Sequence, residues 1–152
     1  VTLAYRRADI AHPLDGFGFV VPHVELRPVI AGTFSSVKYP GRAPDGHALL
    51  RMFLGGAMNE SALEGDDAAL VQTARAELGT LLGVTGAPLF ARVSRHPHAM
   101  PQYHVGHAAR AEAIDLAVAR HAGLRLAGGA YRGVGIADCV RSGEEAAAGV
   151  VG

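Results

Sequence analysis

"LRLAGGAYRGVGIADCVRSGEEAA", Leu124 to Ala147, runs from an apolar stretch through a glycine-rich turn into an alanine-rich segment. "LRLAGG" reads as a short buried strand. Gly128, Gly129, Gly133 and Gly135 carry no Cβ, so a flat or phosphorylated ligand can approach their main chain closely. A helix capped by Asp138, and containing Val140, Gly143, Ala146 and Ala147, would point unpaired amides and a partial positive charge back at that turn. Strand, glycine turn and helix in this order are how a nucleotide-binding βα unit begins, yet here the order stands at the end of the sequence. As a stand-alone dinucleotide fingerprint it fails, because Asp138 occupies the place of the third glycine after Gly133-x-Gly135. On the residues alone, a cofactor contact and a tight structural turn both stay open.

Outward from that stretch, a helix is expected from about His107 to His121, with Ile114, Ala117 and Val118 inward and Gly123 as its stop. Another begins at Asp66 and Asp67, runs Val71, Ala74, Leu78 and Leu82 along one stripe, and ends at Gly83. Strands are expected at "GFGFVVP" (Gly16–Pro22), "RPVIAGTFSSV" (Arg27–Val37) and "HALLRMFLGG" (His47–Gly56). A further strand, "APLFARVSRHPH" (Ala87–His98), is interrupted by Pro97. Along the third of these, Leu50, Met52 and Leu54 form a core face, while Leu49, Arg51 and Phe53 point the other way, a cation beside an aromatic. "YPGRAPDG" (Tyr39–Gly46) is a loop. The expected class is α+β, a mixed sheet plus helix, up to about residue 99, with an α/β tail beyond.

The 152 residues balance 14 Lys and Arg against 14 Asp and Glu, which leaves no surplus of positive charge for nucleic acid. Cys139 is the only cysteine, so a disulfide framework and a multi-thiolate zinc site within the chain are excluded. A buried, inert thiol in a reducing cytosol is the plain expectation. No apolar run approaches the roughly 18–20 residues of a membrane-spanning helix. "VTLAYRR" opens without Met, as a strand already under way, and reads as a cut chain.

His96, His98, His104 and His107 lie close together, but their spacing fits no metal motif and Pro97 and Pro101 interrupt any regular face, so no metal is expected. Glu64, Asp66 and Asp67 are explained by capping, and Ser35 and Ser36 lack a nucleophile-elbow setting. Arg42, Arg51, Arg92 and Arg95 are either ordinary surface charge or carboxylate-recognising forks.

Taken together, "GFGFVVP", "GTFSSVKYPGRAPDGHALLRMFLGG", "MPQYHVGH" and "LAGGAYRGVGIADCVRSGEEAA" resemble the C-terminal part of the flavin-containing protoporphyrinogen/coproporphyrinogen oxidases, within the flavin amine oxidase superfamily. The resemblance implies two parts: residues 1–99 as the later half of a substrate-binding domain, and 100–152 as the C-terminal portion of a Rossmann-like FAD-binding domain. It implies FAD contacts at Gly129, Val134, Gly135 and Ile136, and substrate contacts at Phe17, Gly18, Val20 and Phe53. The family often has Asn or another small residue larger than glycine at the place of Gly129, and commonly Pro at that of Ala137. The implied reaction is oxidation of a porphyrinogen to the porphyrin, with molecular oxygen as acceptor; no residue here is singled out as the catalytic base. A cytoplasmic protein, peripheral to the membrane and homo-oligomeric, is the accompanying expectation. Another oxidoreductase of the superfamily, such as a carotenoid desaturase or monoamine oxidase, or a non-catalytic binding domain, are the alternatives.

These 152 residues contain no GxGxxG segment to hold the FAD pyrophosphate. The purified chain by itself is therefore expected to be inactive and to hold little or no FAD, and visible absorbance at one flavin per chain would contradict that. Faces shaped for other segments should also make it self-associate.

Overall fold

Period-two alternation at His47–Leu54 dictates the architecture of the first part of the molecule. In the computed structural model, which describes residues 1–151, Ala48, Leu50 and Met52 are buried while His47, Arg51 and Phe53 are exposed. The chain divides into two compact units, Val1–Arg95 and a second from His96 onward.

The first unit is a five-stranded sheet with one long helix. Its strands are β1 (Thr2–Arg6), β2 (Gly18–Val20), β3 (Val29–Phe34), β4 (His47–Leu54) and β5 (Phe90–Arg92), in the order β2-β3-β4-β1-β5. Every pairing is antiparallel, so the expected mixed sheet is corrected. Antiparallel strands can leave one face open to solvent, whereas parallel ones need crossovers covering both faces. The segment expected as one strand to Val37 instead turns after Phe34 into the single-turn helix α1 (Ser35–Lys38), where Ser36 Oγ accepts from the Leu49 amide at 3.0 Å. The strand expected over Ala87–His98 shrinks to β5, three residues at the sheet edge.

Helix α2 (Asp67–Leu82) covers one sheet face. Asp66 caps it, its Oδ1 accepting from the Ala69 amide at 2.8 Å, and Gly83 stops it in the left-handed conformation at φ 61°. Leu70, Ala74, Leu78 and Leu82 are buried at four-residue steps; Leu70, not Val71, begins the stripe, and Val71 lies half-buried beside it. Ala74, Leu78 and Leu82 pack with Leu3, Tyr5, Val29, Phe34, Leu50 and Met52 in one core. The helix end is tied to the segment after β1: the His12 amide donates to the Leu82 carbonyl and the Thr85 amide to that of Asp9.

The second unit holds α3 (His107–Val118) and α4 (Ile136–Val151). Helix α3 ends at Val118, short of the expected stop at Gly123, and it buries Ala111 while Ala117 is exposed. Leu124–Ala127 pairs with no strand among the described residues, so the expected "LRLAGG" strand is absent from this unit. Extended backbone needs a neighbouring strand to satisfy its N–H and C=O groups, and none is present there. Helix α4 begins at Ile136, which places Asp138 within the first turn and not at the cap. Among the described residues no helix is long and apolar enough to cross a membrane.

Leu78→Ala is expected to cost about 2–5 kcal/mol of stability in equilibrium unfolding, the usual result of emptying a fully buried leucine site. Phe53→Ala, on the face that α2 does not cover, should cost under about 1 kcal/mol. Equal losses would show that both faces are packed.

Candidate functional site

Register places the second parity of the sheet residue by residue. One row crosses all five strands: Gly18, Thr33, Arg51, Thr2 and Arg92. Two residues along, Val20, Ala31 and Phe53 form a neighbouring row, and on the other side lie Leu49, Ala4 and Phe90. These rows share the face opposite the core. Val20 is 80% exposed, Phe53 41% and Phe90 49%. Arg51 and Arg92 are exposed and form no ion pair or side-chain hydrogen bond among the described residues. They stand two strands apart, roughly 9–10 Å at the backbone. The face thus offers two unpaired guanidinium forks set between apolar rows.

Of the four residues expected to touch a substrate, Gly18, Val20 and Phe53 lie on this face. Phe17 precedes β2 and is 65% exposed, its carbonyl accepting from the Phe34 amide at 2.9 Å. Gly18 also has an internal reason to be glycine. Its φ is 149°, and a Cβ there would fall 2.1 Å from the Gly32 carbonyl oxygen. A separate cleft of about 510 Å³, bordered by Gly18 and Val20, opens on the helix side of β2 against Phe34 and Leu81. Asp15 and Glu25 line it with Arg27, a poorer setting for an anion than the open face.

In the second unit the glycine turn is held by side chains. The Tyr103 hydroxyl donates to the Gly129 carbonyl at 2.6 Å and accepts from the Gly133 amide at 2.8 Å. The Tyr103 ring stacks on His107, with centroids 3.9 Å apart and planes within 8°. His107 Nε2 lies 2.7 Å from the Tyr131 carbonyl, which can only accept, so that nitrogen carries the proton. On the α4 side the Gly128 amide donates to Ser142 Oγ at 3.0 Å. Sequence reading picked out "MPQYHVGH" and the glycine turn as separate pieces; the structure shows that the first clamps the second. The signal for Tyr103 was its place in a distinctive motif, but nothing in the spacing reveals what its hydroxyl reaches.

Val134, Gly135 and Ile136 follow the clamp directly. Gly135 supplies the first carbonyl of α4, accepting from the Cys139 amide at 2.9 Å. The amides of Ile136, Ala137 and Asp138 have no partner among the described residues. Beside them Ile136 is 87% exposed and Val134 46%. A helix N-terminus edged by apolar side chains fits the polar, electron-rich rim of a flat heteroaromatic ring such as a flavin. The glycines divide by cause. A Cβ on Gly133 would fall 2.6 Å from the Asp138 side chain, so close packing within the chain fixes that position. At Gly129 a Cβ would meet Cys139 Sγ at 3.4 Å, an ordinary contact.

Two ion pairs stand at the start of α4 and beside it: Arg141 with Asp138, and Arg132 with Asp115. Donation to Asp115, then the charge of that carboxylate, raises the Arg132 pKa above its ordinary value. Asp138 in the first turn also answers part of the helix dipole. Cys139, expected buried, is half-buried. Arg95 is occupied too, binding Asp67 and the carbonyls of Leu63 and Gly65. Arg42 lies over the Tyr39 ring, 5.4 Å from its centroid.

Comparison with known proteins follows the whole length of the chain. Residues 1–151 match the family described as flavin containing amine oxidoreductase. The chain is 34% identical over 152 residues to a coproporphyrinogen III oxidase of Staphylococcus aureus, covering 99% of this chain and 33% of that protein. To a protoporphyrinogen oxidase of Bos taurus it is 37% identical over 160 residues, covering 100% of this chain and 33% of the relative. A crystal structure from Exiguobacterium sp. 255-15, described as a candidate protoporphyrinogen oxidase, superposes with a TM-score of 0.78 at 31% identity, over 95% of this chain and 32% of that one. The chain therefore spans about a third of the length of the relatives it matches. With its sequence matched from the first strand to the last helix, this chain belongs to the flavin containing amine oxidoreductase family.

Proposed function

We propose that the protein to which this chain contributes oxidises a porphyrinogen, protoporphyrinogen IX or coproporphyrinogen III, to the porphyrin, using FAD and molecular oxygen. The observation that carries this reading is the open sheet face, where Arg51 and Arg92 stand between the rows Val20–Ala31–Phe53 and Leu49–Ala4–Phe90. A tetrapyrrole macrocycle has broad apolar faces and a few peripheral carboxylates, and this surface carries both complements. Aromatic and aliphatic side chains take the ring. Guanidinium forks take the carboxylates. The relatives named coproporphyrinogen III oxidase and protoporphyrinogen oxidase support the same assignment.

Bound FAD would supply the acceptance of hydride equivalents in successive two-electron steps. This chain's residues have other work. Gly129, Val134, Gly135 and Ile136 would border the flavin, with the free amides at the start of α4 directed at its pyrimidine side, where reduction places negative charge. Leu124–Ala127 would join a parallel Rossmann-like sheet whose other strands come from elsewhere in the protein, which accounts for a segment with no partner here. Phe17, Gly18, Val20 and Phe53 would bound the substrate side.

The test is an assay of the full-length protein with both porphyrinogens under air, following porphyrin fluorescence and peroxide release. Porphyrin formed from neither substrate, at a rate no higher than autoxidation, would refute the proposal. In an active enzyme, Arg51→Ala or Arg92→Ala should each raise KM about tenfold, the loss of one charge-assisted contact, with kcat little changed.

A further inference from the structure

The turn from Arg125 to Gly135 has an unusual support. Gly129–Tyr131 form one main-chain turn within it, but among the described residues no amide from Arg125 to Gly135 makes a well-aligned bond to a backbone carbonyl. Where a loop lacks main-chain bonds of its own, side chains fix its path. Here those side chains are Ser142 and Cys139 of α4 on one flank and Tyr103 with His107 on the other. Tyr103 is the only one that binds the turn at two points, Gly129 and Gly133, and so sets the distance across it.

We infer that the Tyr103 phenol is a positioning residue for Val134–Ile136 and the amide row that they lead into, Ile136–Asp138, holding it at the height the flavin requires. The inference rests on the flavin reading of that row given above. Gly133 is held at three points: its amide by Tyr103, its carbonyl by the Cys139 thiol, and its Cα by the Asp138 side chain, which leaves no space for a Cβ. The next peptide begins the segment that leads into the row. Any shift of Gly133 therefore moves Val134 and the entry to α4, without contact between Tyr103 and the cofactor being required.

The phenol suits this task because it donates and accepts at once. Its single proton goes to the Gly129 carbonyl, and that donation makes its oxygen a better acceptor for the Gly133 amide. His107 holds the ring in place by stacking, while its own Nε2–H fixes the Tyr131 carbonyl. His107 thereby serves the turn with both its ring face and its Nε2–H. Phenylalanine at 103 would keep the stack and lose both bonds, leaving one carbonyl and one amide of the turn unpaired.

A misplaced amide row should weaken the hold on the reduced, negatively charged flavin more than on the oxidised one. The experiment uses the full-length holoprotein and its Tyr103→Phe and His107→Phe variants. Flavin midpoint potential, flavin affinity and the melting temperature of the flavin-stripped protein are measured for each. In Tyr103→Phe, affinity for the reduced form should fall about tenfold relative to the oxidised form, which is a potential lower by about 30 mV. His107→Phe, which keeps a stacked ring and both Tyr103 bonds, should shift the potential the same way by less. It also preserves the test if Tyr103→Phe does not fold. A potential unchanged in the variants, with both redox forms weakened equally or not at all, would overturn the inference while leaving flavin binding intact. A wild-type protein without flavin would overturn the flavin reading and this inference together.

Discussion

In β4, Leu50 lies opposite Leu3 on one side and Phe34 on the other, and this pairing keeps one parity of the strand beneath α2. The sheet has no freedom beyond that choice. A slip of one residue would drive Arg51 under the helix and expose Ala48, Leu50 and Met52, burying an unpaired cation and surrendering three apolar side chains to water. Ala74, fully buried, lets α2 come close to the strands, and Asp66 and Gly83 bound the helix at both ends. The open face follows from the same register. Because the core claims Leu3, Leu50 and Met52, the alternate residues Thr2, Arg51 and Phe53 are obliged to share the other side.

The second unit is organised on a different physical basis. Among the described residues it has no ladder to hold the glycine turn, so the turn depends on hydroxyls, a ring nitrogen and a thiol reaching into its main chain. Such bonds fix individual groups without covering them. Among the described residues the amides at the start of α4 stay unpaired, and Ile136 is exposed beside them. The local fold keeps donors available that an ordinary helix start satisfies with a capping side chain.

Elements decided by periodicity and caps were legible in the sequence. Helix α2 appeared with its cap, its stop and most of its stripe, and β4 with both faces, because these depend on residues near one another in the chain. What depended on partners was not legible. "LRLAGG" has the composition of a buried strand, but a strand exists only with a neighbour, and composition does not report one. Ser35 and Ser36 continue a β-branched run, yet the chain turns there into α1 and Ser36 meets the amide of Leu49, thirteen residues away. Asp138 resembles a cap by type, but α4 starts two residues earlier. At the candidate site, the face shared by Gly18, Val20 and Phe53 could be anticipated in part from the alternation along β4. The double bond made by Tyr103 could not, since its partners lie 26 and 30 residues away.

The arginines show how one residue type is sorted by its surroundings. Read as sequence, Arg42, Arg51, Arg92 and Arg95 are equivalent: each is a cation among apolar or small neighbours. Arg95 is consumed by the start of α2, where the Leu63 and Gly65 carbonyls and the Asp67 carboxylate take its three nitrogens. Arg42 rests on Tyr39. Among the described residues Arg51 and Arg92 have no partner, and the strand register sets only Thr2, which carries no charge, between them. A guanidinium in water gains little from any single exposed ion pair, so two unpaired ones on a surface are ordinary. They become informative here because apolar rows run on both sides of them. A ligand lying on those rows would displace water from the face, and in that drier setting the same two cations would bind carboxylates far more strongly than they can in the open sheet.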